Sequence, residues 1–110
     1  MKVEQKGHTT TIKDTESSFE AFLEKLTTQY NSYKSVNLII DVTHDKSFNL
    51  SYLKQFSDLA KTHKKNKKSF VVVAENIDFN KVPTSINTVP SLLEAHDIIE
   101  MEEIERDLGF

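Results

Sequence analysis

Residues 36–73 read VNLIIDVTHDKSFNLSYLKQFSDLAKTHKKNKKSFVVV. Two runs, Leu38-Ile39-Ile40 and Phe70 to Val73, are apolar at consecutive positions, the pattern of strands covered on both faces. Between them Leu50, Leu53, Phe56 and Ala60 recur at spacings of three and four, so they share one helix face. Leu59 falls at its margin. Asn49 is a good N-cap for that helix. Strand, helix, strand is a βαβ unit, with a parallel pair joined through a crossover helix.

Upstream of this unit, residues 2–6 (KVEQK) and 9–13 (TTTIK) are short alternating segments separated by Gly7-His8, which predicts a hairpin with Val3 and Ile12 inward. A helix is expected from Glu16 to about Ser32, with Phe19, Phe22, Leu23, Leu26 and Tyr30 on one face. Asp14 or Thr15 would cap its start, or Ser17 and Glu20 would form a capping box. Downstream, Glu75 to Ser85 reads as an irregular connection with at most one helical turn, and Ile86 to Val89 as a fifth strand. Pro90 ends that strand. Ser91 and Glu94 then form a capping box for a last helix that closes at Gly109. The last helix carries an apolar stripe broader than one sheet face requires, which fits either a surface that meets a partner or, about as well, a buried amphipathic helix. The order is ββαβαβα, an α/β fold with a mixed, mostly parallel sheet and packed helices.

At 110 residues the chain makes one domain, residues 1–110, long enough to bury a single core without staples. There is no cysteine, which removes disulfides and thiolate metal sites. MKVEQKGHTTTIK has no apolar core like that of a signal peptide. No apolar run approaches the roughly 20 residues of a membrane helix. The expectation is a cytoplasmic protein with no membrane partner. The net charge is −3, too acidic overall for a dedicated nucleic-acid binder. The charges are nevertheless segregated. Lys61, Lys64, Lys65, Lys67 and Lys68 form a basic run, and Glu94 to Asp107 holds seven acids with only Arg106 opposing them.

Asp41 interrupts the apolar pattern near the carboxyl end of its strand, where open α/β sheets collect ligands. It marks the loop Thr43 to Phe48 as the first place to look for a site. Asp41, His44 and Asp45 could hold a metal or move a proton. No second histidine lies near in sequence, and His96 would have to come from across the fold. The simpler reading has Asp41 bonding the loop backbone and His44 in solvent. The basic run could touch a phosphate backbone, but it lacks the aromatics that stack on bases, and a solvated helix end accounts for it. There is no phosphate-binding glycine loop and no G-x-S-x-G elbow. No catalytic residue, metal or cofactor is assigned.

The element order resembles the STAS domain, the fold of anti-sigma factor antagonists and of sulfate-transporter tails. In that family a strand ends in leucine-aspartate, and a short loop then leads to Asp-Ser-Ser-Gly at the start of a helix. Here Ile40-Asp41 is similar to the strand end, and Asn49-Leu50-Ser51-Tyr52 stands in place of the motif. The segment TVPSLLEAHDII looks like the family's last strand, turn and helix. The resemblance implies a STAS-like, non-enzymatic protein-interaction domain whose partner is a kinase-like anti-sigma factor. Ser51 would be its regulatory phosphorylation site, with Asp41, Thr43, His44, Asp45, Asn49 and Tyr52 around it as partner-binding residues. A phosphate on a helix's first turn is favoured by its free N–H groups. Asn49, Leu50 and Tyr52 depart from the family's residues at their positions.

A second resemblance is narrower. Small flavobacterial proteins that carry the name ribonuclease Z end in a run similar to EAHDIIEMEEIERDLGF. That nuclease holds two zinc ions on a His-x-His-x-Asp-His cluster, whereas His8, His44, His63 and His96 are scattered here. The resemblance therefore implies an accessory partner of ribonuclease Z in tRNA processing, with Lys61, Lys64, Lys65, Lys67 and Lys68 as the candidate RNA contacts.

Overall fold

Consecutive apolar residues need cover on both sides of a strand, and the chain supplies it with helices on both faces of a five-stranded sheet. The computed structural model describes residues 1–109. Phe110, which ends the C-terminal run quoted above, lies outside the described residues. Strands β1 (Lys2–Lys6), β2 (Thr9–Lys13), β3 (Asn37–Asp41), β4 (Phe70–Val73) and β5 (Asn87–Val89) lie side by side in chain order. β1 and β2 pair antiparallel through the turn at Gly7, whose φ is +60°, and the other pairs are parallel. This is an α/β domain with a mostly parallel sheet, as the residue pattern predicts.

Alternation along β3 sorts its side chains between two layers. Leu38 and Ile40 face α1 (Phe19–Gln29), α2 (Leu50–Lys54) and α3 (Ser57–Lys65), in a core completed by Ile12, Phe22, Leu26, Leu53, Phe56 and Val72. Ile39 faces the other way, with Val71, Val73 and Val89, against Ala95 and Ile99 of α4 (Leu92–Asp107). The crossovers from β2 to β3 and from β3 to β4 therefore share one face, and the chain crosses to the other only after β5. Burying one large apolar side chain contributes roughly 1.5–3 kcal/mol. On that scale the larger layer, with its Phe19, Phe48, Phe56 and Phe70 rings in mutual contact, holds most of the fold.

The helix ends follow their sequence signals only in part. Ser91 Oγ accepts the Glu94 N–H at 3.2 Å, so the expected capping box starts α4. Gly109, at φ +81°, follows its last turn. Asn49 Oδ1 accepts the Tyr52 N–H at 3.0 Å and starts α2. At α1 the expected cap does not form. The helix begins later, at Phe19, Ser18 makes no side-chain cap bond, and Ser17 sits at φ +56°. Asp14 instead turns back to accept the Glu16 N–H at 3.0 Å, because its own N–H is tied to the Asp41 carbonyl of the neighbouring strand. Past Gln29 the helix tightens into a 3-10 turn, Tyr30–Ser32.

Two further expectations are corrected. The helix after β3 is not continuous. Gln55 and Phe56 donate to Tyr52 and Leu53 in short i to i−3 bonds, which separate α2 from α3. Neither proline nor glycine stands at the break, and the Phe56 ring at the joint is fully buried. Val3 is not a core residue. Although it pairs with Ile12, it is 44% exposed, because β1 is the edge strand and lies exposed along its whole length. The connection 75–85 contains one 3-10 turn, Phe79–Lys81, as expected.

Candidate functional site

Parallel strands end on the same side of the sheet, so the loops after β2, β3 and β4 form one rim. Asp41 ends β3 and is 2% exposed. Its Oδ1 accepts the Thr43 N–H at 3.0 Å and the Thr43 hydroxyl at 2.7 Å. Asp45, also buried, repeats the arrangement four residues on, accepting the Ser47 N–H at 2.9 Å and the Ser47 hydroxyl at 2.6 Å. Asn49 then caps α2. Three side chains spaced four apart thus pin the loop's backbone in succession, each through a short local turn.

This pinning decides what the loop offers to solvent. His44, Lys46, Ser47, Asn49 and Ser51 are exposed, and Thr43 and Tyr52 are half-buried. Tyr52 stacks on Phe19 with ring centroids 4.5 Å apart, anchoring the first turn of α2 to α1. Ser51 stands beside it on the outer side of that turn. The structure therefore brings Thr43, His44, Asn49, Ser51 and Tyr52 to one rim, and places the Asp41 and Asp45 carboxylates beneath it as supports. His96 lies on α4, against the opposite face of the sheet from α1, α2 and α3.

Two carboxylate oxygens at the same end, Oδ2 of Asp14 and Oδ2 of Asp45, are buried without a hydrogen-bond partner. An unpaired buried oxygen costs about 1–3 kcal/mol. Among the described residues no group of three or more His, Cys, Asp or Glu side chains is placed to hold a metal ion. Among those residues no helix is long and apolar enough to cross a membrane.

Two polar clusters escaped the sequence reading. The first is inside the larger core. His63 stands just before the lysine run, in the last turn of α3, yet it is fully buried. Its Nε2 lies 2.6 Å from the Val36 carbonyl and its Nδ1 2.6 Å from the Tyr30 hydroxyl. The geometry fits one neutral tautomer, with Nε2–H donating and Nδ1 accepting. Burial pushes the imidazole pKa below its ordinary value, outweighing the Val36 bond, and nearby Lys68 pushes it the same way. Burial likewise raises the Tyr30 phenol. At the surface, the hydrogen bond and charge of Lys25 lower the Glu16 carboxyl pKa.

The second cluster lies at the opposite, amino end of the sheet. Asn37 opens β3 and Ser69 precedes β4. Asn37 Oδ1 accepts the Ser69 N–H at 2.9 Å. Arg106 of α4 reaches both residues, donating to Asn37 Oδ1 and Ser69 Oγ at 3.3 Å. Ser69 Oγ in turn donates to Glu102 at 2.5 Å, and the second Glu102 oxygen accepts from Asn87 Nδ2 at 3.2 Å. A usable signal was present. Arg106 is the only cation in the acidic tail, and Asn37 and Ser69 each stand directly before an apolar run.

Compared with known proteins, the chain matches no family model and no curated sequence.

Proposed function

We propose that the chain is a STAS-like protein-interaction domain of the cytoplasm, without catalytic activity, that binds a regulatory protein partner through the rim formed by loop 43–48 and the first turn of α2. The observation that carries this reading is the loop itself. Asp41, Asp45 and Asn49 each bond the backbone two or three residues ahead, so the polar side chains that could have served chemistry hold a fixed surface instead. A rigid, polar rim ending in an exposed serine suits recognition and switching by phosphate. A phosphoryl group adds close to two negative charges and three strong acceptors at the start of α2. The partner would be a kinase-like anti-sigma factor, with Ser51 as the modified residue.

The experiment is an affinity capture of the tagged full chain from its own cells, repeated with Ser51→Asp and Ser51→Ala. The reading expects one protein partner held by wild type and by Ser51→Ala and released by Ser51→Asp. A partner retained equally by all three removes Ser51 from the proposal. Recovery of ribonuclease Z or tRNA instead would replace the regulatory reading with the accessory one.

A further inference from the structure

A sizeable cavity lies away from the rim. It opens at the amino end of the sheet, between the end of α3, the start of β4, the turn before β5 and the last turns of α4, and measures about 510 Å³. Small-molecule sites commonly measure about 300–1,000 Å³. Lys64, Lys67, Lys68 and Arg106 line it, and none of the four forms an ion pair among the described residues. Two carboxylates, Glu102 and Glu105, share the wall. Glu102 has both oxygens bonded to neutral donors, Ser69 and Asn87. Arg106 is held by Ser69 Oγ and Asn37 Oδ1, with the Glu102 carboxylate on the far side of the same Ser69 hydroxyl rather than in direct contact.

The basic run is therefore divided by the fold. Lys64, Lys67 and Lys68 line the cavity, while Lys61 and Lys65, exposed on α3, do not. Lys67 lies at φ +60°, in the reversed turn that carries the chain from α3 back into β4. The lining is not all charged: Ala60 and Phe70 supply apolar contact, and Thr84 and Ser85 supply hydroxyls. Four cations from α3, the turn after it and α4, with apolar and hydroxyl groups in the same lining, suit a phosphate with an organic group attached.

We infer that this cavity binds a small phosphorylated metabolite, of about nucleoside monophosphate size, with its phosphate on Lys64, Lys67, Lys68 and Arg106. The surface lies at the opposite end of the sheet from the rim carrying Ser51, so it stands or falls independently of the partner-binding reading.

The test titrates adenosine 5′-monophosphate, inorganic pyrophosphate and adenosine into the 15N-labelled full chain at low salt, following backbone amide shifts. The inference expects saturable shifts at Ser69, Thr84, Ser85 and Arg106 with the two phosphates, none with adenosine, and none at residues 43–52. Two variants decide the origin of binding. Lys64→Gln/Lys67→Gln/Lys68→Gln, with its thermal midpoint checked against wild type, should weaken binding by at least about tenfold, on the scale of about 1.4 kcal/mol per decade. Lys61→Gln/Lys65→Gln, which removes charge beside the cavity but not from its wall, should bind like wild type. Equal loss in both variants would mean diffuse electrostatic attraction and overturn the inference. So would adenosine binding as well as its phosphate, or no saturation by about 10 mM, a Kd weaker than the millimolar scale. Binding of a single-stranded oligoribonucleotide without either small phosphate would overturn it in favour of a nucleic-acid surface.

Discussion

Acidification should weaken the fold through His63 before the carboxylates begin to titrate. The imidazole has no solvent exposure, and both of its nitrogens are used in the neutral form. Its folded pKa lies below 6.5, chiefly because burial disfavours the charged ring. The unfolded chain then takes up a proton near pH 6.5 that the folded protein does not accept. A group whose folded pKa is depressed contributes stability that is present above the unfolded value and lost as pH falls. The loss therefore begins near pH 6.5 and continues until the folded pKa is reached, approaching about 1.4 kcal/mol per pH unit for one proton. Against a typical total of about 5–15 kcal/mol, a single unit is measurable. The assay is urea unfolding of wild type and His63→Leu at half-unit steps from pH 7.5 to 5.5. At pH 7.5 the variant should be destabilised by about 1–3 kcal/mol, because the Val36 carbonyl loses the His63 donor. Below pH 6.5 wild type should lose stability faster than the variant, so the two curves converge. His8 and His44 are exposed and His96 half-buried, and all three remain in the variant as internal controls. Parallel curves across the interval would refute the assignment of His63 as a buried neutral ring.

The remaining predictions concern the loop and the core. Asp41→Ala strands the Thr43 N–H beneath the rim and should cost about 1–3 kcal/mol in chemical unfolding, whereas Asp41→Asn keeps an acceptor in place and should cost clearly less. If Asp41→Asn proves as damaging as Asp41→Ala, the carboxylate charge matters more than the turn it closes. Phe56→Ala, at the joint between α2 and α3, should cost about 3–5 kcal/mol by emptying a fully buried position in contact with Phe19, Phe48 and Phe70. A cost below 1 kcal/mol, read from the same urea transitions, would show that the break between the helices collapses to fill the space.

The sheet was legible because its strands carry strong local signals. The runs at 38–40 and 70–73 allow no exposed face, and the Gly7 turn and the Ser91–Glu94 box have specific chemistry. Two of the misreadings turned on a contact between residues far apart in sequence. Asp14 looked like a helix cap and is instead drawn to the end of β3. His63 reads as one more polar residue before a lysine run, and only the packing of α3 against Tyr30 and Val36 shows it to be core. The rim was anticipated as a place, since Asp41 at a strand's end marks it, and Asp41's bond to the loop backbone was the simpler of two readings. The amino-end cavity was not, because its walls come from three separate segments, 60–70, 84–87 and 102–109, and Arg106 joins β3 to α4 across 69 positions.

The two ends of the sheet use their charged groups in opposite ways, and this bears on where ligand binding should be sought. At the carboxyl end, Asp41 and Asp45 are spent on their own loop, and the surface they support is polar but carries no convergent charge. Such a surface suits a protein partner, whose affinity comes from area and shape more than from one charge. At the amino end Glu102 is bonded to neutral donors, while four cations around one concavity lack carboxylate partners within ion-pair distance among the described residues. Like charges held together destabilise the free protein, and an anion that binds only the folded state returns that energy as stability. The thermal midpoint should therefore rise with added pyrophosphate in wild type and in Lys61→Gln/Lys65→Gln, and not in the triple lysine variant. A rise of equal size in all three would trace the effect to general ion binding and leave the cavity's charge without a role.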